Sequence, residues 1–136
     1  MSIISIHYNQ LNEAMNGHGN VEKIVPGLGA TMFCGSDRYM MVVTEVCSPK
    51  KIKVAHLLDS HKDKFITGNN GVMILPKELL DEYKKFVPDE YGWAPYHASQ
   101  VYTLRKNHRW MPQGKGLWET SSIQIGVAEE YRDPCF

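Results

Sequence analysis

The densest group of chemically capable side chains in this sequence is Thr103-Leu104-Arg105-Lys106-Asn107-His108-Arg109-Trp110. Arg105, Lys106 and Arg109 set cations around one tight turn beside an aromatic ring. With Asn107-His108 as a two-residue hairpin loop, Lys106 faces Arg109 across the strands, and Arg105 faces Trp110 on the other side. Like charges placed directly opposite repel unless an anion sits between them, and a guanidinium is a planar fork suited to phosphate oxygens. The hairpin therefore reads as an anion site, with Arg105, Lys106, Arg109 and Trp110 as ligand-binding candidates. A solvated hairpin tip whose charges meet acidic residues elsewhere accounts for the same composition.

Two weaker groups add candidates. Gly35-Ser36-Asp37-Arg38 places Arg38 where an anion could sit, although a plain turn with Asp37 capping backbone amides fits equally well. Asn69-Asn70-Gly71 offers Asn70, whose amide can read the edge of a purine, but turn chemistry also explains this stretch. The six histidines lack the helical spacing and third ligand of a zinc site, so no metal and no cofactor is expected. His97-Ala98-Ser99 is a single His-x-Ser element without the second copy a two-histidine phosphodiesterase needs. No nucleophile elbow, P-loop or dinucleotide fingerprint occurs. No catalytic residue is assigned, and the chain is expected to bind a ligand rather than turn one over.

The elements that must position these groups are mainly strands. Ala30 to Cys34, Met40 to Cys47 and Ile52 to Leu58 are apolar or β-branched runs separated by Gly35-Ser36-Asp37-Arg38 and Ser48-Pro49-Lys50. They predict an antiparallel meander. Pro76 opens a helix whose apolar face is Leu79, Leu80, Tyr83 and Phe86, supported by an Asp81–Lys85 pair and ended at Val87-Pro88. Residues 88–98 read as an ordered loop. Gln100 to Lys106, Arg109 to Met111 and Ser122 to Val127 read as the remaining strands. The expected fold class is α+β, mainly antiparallel β in a small curled sheet or barrel, with one or two short helices.

Composition narrows the rest. At 136 residues the chain is expected to form a single domain over 1–136. Fifteen basic residues balance fifteen acidic ones, so no overall field draws it to duplex nucleic acid or to an acidic membrane. No apolar run reaches membrane-spanning length, and the N-terminus lacks the parts of a signal peptide. Cys34, Cys47 and Cys135 are odd in number and lack C-x-x-C spacing, as expected of reduced thiols in a cytosolic protein.

Several short segments also resemble a known family. These are Gly29-Ala30-Thr31, Ser36-Asp37-Arg38, Val42 to Val46, Asn70-Gly71-Val72-Met73, and the Leu-Arg-Lys-Asn hairpin with Arg109-Trp110. The closing Ile125-Gly126, Tyr131, Asp133 and Phe136 complete the likeness. Together they resemble the first Thoeris anti-defence family, phage sponge proteins that sequester cyclic ADP-ribose isomers made by bacterial TIR-domain immunity proteins. The likeness covers roughly residues 26–71 and 100–136. His108 replaces the family's hairpin glycine, residues 1–25 form a variable N-terminal segment, and 74–98 form a helix-containing insertion.

The resemblance implies a binder without turnover, working in the cytoplasm of a phage-infected bacterium. It implies a homo-oligomer, a dimer or a larger assembly up to a hexamer, and a cyclic ADP-ribose-type ligand, with cyclic oligonucleotides as a further ligand class. Arg105 and Arg109 match the positions assigned to the pyrophosphate, and Asn70 matches one near the base. One tension follows. The hairpin pairing above puts the two arginines on opposite faces, so one ligand reaches both only if the strand ends early or two subunits contribute. Rival readings are a protein-binding inhibitor of a bacterial defence system and a small β-barrel that binds RNA.

Overall fold

The computed structural model describes residues 23–68, 71–106, 109–113 and 121–131. Three consecutive antiparallel strands come first: β1 (Gly29–Cys34), β2 (Asp37–Ser48) and β3 (Lys51–His56). Gly35 and Ser36 turn β1 into β2, with Gly35 at φ 61°, a backbone region that side chains disfavour. After a long crossover come β6 (Gln100–Leu104), β7 (Trp110–Pro112) and β8 (Ile123–Ile125). The strands close into a barrel in the order β1-β2-β3-β6-β7-β8, and every neighbouring pair is antiparallel. The expected β-rich α+β class is the observed one, and the curled sheet is fully closed.

Alternation along the strands builds two apolar layers. Inward residues, among them Met32, Val43, Ile52, Val54, Tyr102 and Trp110, fill the barrel. Outward Val42 and Ala55 join Leu57, Leu75 and Tyr83 in a second cluster against the crossover. That crossover holds a 3-10 turn, η1 (Asp59–His61), a small hairpin of β4 (Ile66–Thr67) and β5 (Met73–Ile74), a helical segment and a loop. The insertion expected over 74–98 is thus the later part of a longer excursion between β3 and β6.

The helix is shorter and tighter than its pattern predicts. Residues Lys77–Leu80 are α-helical (α1), and Asp81–Lys85 continue as a 3-10 helix (η2). The expected face is nonetheless used: Tyr83 is buried, and Leu79 and Leu80 pack on the outer cluster. The tighter winding changes the ion pair. In a 3-10 helix side chains three apart eclipse, so Asp81 meets Lys84 at 3.1 Å rather than the expected Lys85.

The β6/β7 hairpin corrects a register. Leu104 pairs with Trp110, and the Arg105 N–H donates to the Arg109 carbonyl at 2.9 Å. The expected Lys106–Arg109 and Arg105–Trp110 pairings are therefore replaced by Arg105–Arg109, with residues 106–108 between them. The physical cause is Trp110. Its ring is fully buried inside the barrel, and a one-residue slip would turn it to the outside.

Candidate functional site

Closure of the barrel gathers cations that are distant in sequence. Lys51 pairs with Thr103, and the Leu104 N–H donates to the Lys50 carbonyl at 2.9 Å. The β2/β3 turn therefore lies beside the β6/β7 hairpin. Lys50, Lys51, Arg105, Lys106 and Arg109 are all exposed there. Arg105 is held partly in place: its Nε donates to Thr103 Oγ1 at 2.9 Å and its Nη2 to the Pro112 carbonyl at 3.0 Å. Cross-strand partners share a face, so the register that buries Trp110 also brings Arg105 and Arg109 together. β6 ends at Leu104, so both arginines stand just beyond the paired strands.

The other candidates separate. Trp110, expected at the ligand, is a core residue with no exposed surface. Arg38, also expected at the ligand, lies near the start of β2, at the far end of that strand from Lys50 and Lys51. Its guanidinium pairs with Glu129, sits 5.5 Å from the Phe33 ring centroid, and its backbone bridges to Tyr131. Arg38 thus ties the C-terminal tail to the barrel. Asn70 lies outside the described residues.

Beside the basic end, on the outer face of β2 and β3, is a cavity of about 810 Å³. Pro76, Leu80, Tyr83, Phe86 and Val87 make its apolar wall; Thr44, Ser99, the Glu45–Lys53 and Asp81–Lys84 pairs and Lys77 supply polar groups. The β2–β3 register shifts between Val43 and Glu45, leaving Thr44 on a bulge. Its hydroxyl donates to the Lys53 carbonyl at 3.2 Å and lies 2.7 Å from Ser99 Oγ. Exposed Tyr91 and Trp93 stand on the flanking loop, where both backbone N–H groups donate to Asp89 Oδ1 at 2.9 and 3.0 Å.

Sequence reasoning missed Lys50, Lys51, Thr44 and Ser99. Lys50 and Lys51 carry a signal in retrospect, two lysines at a turn, but that turn meets the hairpin only through the β3–β6 pairing. Thr44 sits inside an unbroken β-branched run and gives no sign of a bulge.

The buried histidines are tied into the scaffold. His61 lies between Tyr83 and Glu82, with Nδ1 3.0 Å from the Tyr83 hydroxyl and Nε2 3.0 Å from Glu82 Oε2. The Tyr83 oxygen also accepts from the Leu58 N–H at 3.0 Å, and burial pushes its phenol up to about 12. His56 stacks on Tyr96 at 4.2 Å, and its carbonyl accepts a hydrogen bond of 2.8 Å from His97 Nδ1. Burial, then the charge of His97, lowers the His56 pKa to about 4. The unfolded chain takes up this proton near pH 6.5, whereas the folded chain resists it down to about pH 4. The stability His56 contributes is therefore complete above pH 6.5 and lost as pH falls toward 4. Urea midpoints at pH 7.5, 6 and 5 are expected to decline (buffer values, roughly spanning that window), and His56→Gln to flatten the decline. An equal decline in both proteins would assign the effect to other groups.

Among the described residues, no three His, Cys, Asp or Glu side chains cluster as a metal site, and no helix is long and apolar enough to cross a membrane. Comparison of the chain with protein-family models, with curated proteins and with solved structures finds no match.

Proposed function

We propose that this protein captures a small cyclic nucleotide of the cyclic ADP-ribose class and holds it intact, as a phage anti-defence sponge in the cytoplasm of an infected bacterium. One observation carries the reading. The two arginines that the family likeness links to the pyrophosphate are cross-strand neighbours, beside exposed Lys50, Lys51 and Lys106, in a chain of zero formal net charge. An anion held among these side chains gains charge-assisted hydrogen bonds from more than one cation. The chemistry it offers is binding: a guanidinium and an ammonium at these positions donate hydrogen bonds and charge.

The test is direct. The protein is incubated with the product of a TIR-domain enzyme, separated from free ligand, and heat-denatured. Release of unchanged ligand is expected; release of a cleaved product would make the protein an enzyme and overturn the proposal.

Exposed Tyr91 and Trp93, with 79 % and 77 % of their surfaces free, also favour a second reading, a stacking platform for single-stranded RNA. A salt titration separates the two. Binding along an RNA backbone weakens in steep proportion to the phosphates contacted, whereas one pyrophosphate gives a shallow slope.

The sponge reading includes self-assembly. Val87, Tyr91, Trp93 and Tyr96 expose a wide apolar area on one loop, of the kind that monomers seldom leave uncovered. Light scattering at micromolar concentration is expected to give at least twice the chain mass of 15.5 kDa; a mass near that of one chain would sink this part.

A further inference from the structure

We infer that the cavity on the outer face of β2 and β3 is a binding site for a planar, uncharged nitrogen heterocycle of the nucleobase class. This rests on the proposed function for its anion-binding half, and it adds where the ring of the ligand goes.

Three observations converge. The first is size and lining. About 810 Å³ lies within the range of roughly 300–1,000 Å³ typical of small-molecule sites, and Tyr83 and Phe86 set aromatic rings beside Leu80 and Val87 in a largely apolar lining whose charged groups include Lys77, Asp81 and Lys84. The second is the polarity of the hydroxyl pair. A carbonyl only accepts, so the Thr44 hydroxyl spends its hydrogen on Lys53, and Ser99 must donate to Thr44. Ser99 Oγ is left with lone pairs, which suits the exocyclic amine or ring N–H of a base. The third is continuity with the basic end. Lys53 at the cavity and Lys51 at the cation cluster both point outward from β3, two residues and so about 7 Å apart along the strand. Val101 and Thr103 make the matching row on β6, and Thr103 holds Arg105. A ring seated against Ser99 therefore lies on the same face as this row, with its phosphates directed toward the Lys51 and Thr103 end, about 13 Å along β6. The Thr44 bulge interrupts the β2–β3 ladder at this point.

The experiment separates the two halves of the ligand. Adenosine, which has no phosphate, and inorganic pyrophosphate, which has no ring, are titrated separately into isotopically labelled full-length protein and followed by amide NMR. Adenosine is expected to shift Thr44, Tyr83, Val87 and Ser99. Pyrophosphate is expected to shift Lys51, Arg105, Lys106 and Arg109. Ser99→Val is expected to weaken adenosine about five- to tenfold, the loss of one neutral hydrogen bond, with pyrophosphate unchanged. Val87→Glu, an exposed position on the rim that leaves the core intact, is expected to weaken adenosine as well. Adenosine shifts that are absent, or confined to Tyr91 and Trp93, overturn the inference, as does an unchanged adenosine affinity in both variants. Failure of pyrophosphate alone to shift the basic end would instead overturn the sponge reading and leave the base site standing.

Discussion

Arg109→Ala is expected to lower the affinity for a cyclic ADP-ribose isomer ten- to a hundredfold while the ligand-free protein melts at a nearly unchanged temperature. A charge-assisted hydrogen bond to phosphate contributes about 1.5–3 kcal/mol, and each 1.4 kcal/mol or so is a factor of ten in affinity. Arg109 faces Arg105 across the hairpin, with Lys106 in the same turn. Arg109 is exposed, so its loss changes the stability of the free protein by only about a few tenths of a kcal/mol. Ligand-induced stabilisation should fall in step with the lost affinity. Calorimetry with and without ligand measures both quantities. Unchanged affinity with a lowered melting point would mean that Arg109 serves the fold, and would remove the main support for the sponge reading.

Trp110→Ala is expected to do the opposite: to cost most of the stability. Truncating a buried aromatic of this size typically costs about 3–5 kcal/mol, against a total of roughly 5–15 kcal/mol for an ordinary domain. The position makes the loss worse. Trp110 pairs with Leu104 on one side and with Ile123 on the other, and Trp110–Ile123 is the pairing that joins β7 to β8. A void at that seam weakens the core and the closure of the barrel together. Urea unfolding is expected to show a large fall in midpoint, with a smaller fall for Trp110→Phe, which keeps an aromatic in the same space. A Trp110→Ala protein with near-normal stability and lost ligand affinity would return this residue to the binding site.

These two neighbouring residues show how far the sequence carries. The cationic hairpin was legible as chemistry because charge, turn residues and an aromatic stand within eight positions, Thr103 to Trp110. Strands β1 to β3 were legible for a similar reason. Their β-branched runs and the Gly35-Ser36 turn are local signals, and consecutive strands of a meander need only a short turn to meet. The helix gave its buried face, Leu79, Leu80 and Tyr83, but not its winding, because α and 3-10 backbones use nearly the same apolar spacing over so short a segment.

What the sequence by itself determined, then, is the β-rich class, the meander and the three cations of the hairpin, Arg105, Lys106 and Arg109. Only the tertiary structure decided which cations meet and which aromatic is spent on the core. The register of the hairpin follows from the barrel interior claiming Trp110, a burial energy that no local turn preference reveals. The nearness of Lys50 and Lys51 to Arg105 follows from β3 pairing with β6 across a long crossover. Arg38 stands at the opposite end of β2 from Lys50 and meets Glu129, a partner far along the chain. The cavity exists because that same crossover lays α1 and η2 over a bulged stretch of β2. Each of these depends on contacts between distant segments, and their energies arise only when the chain has closed on itself.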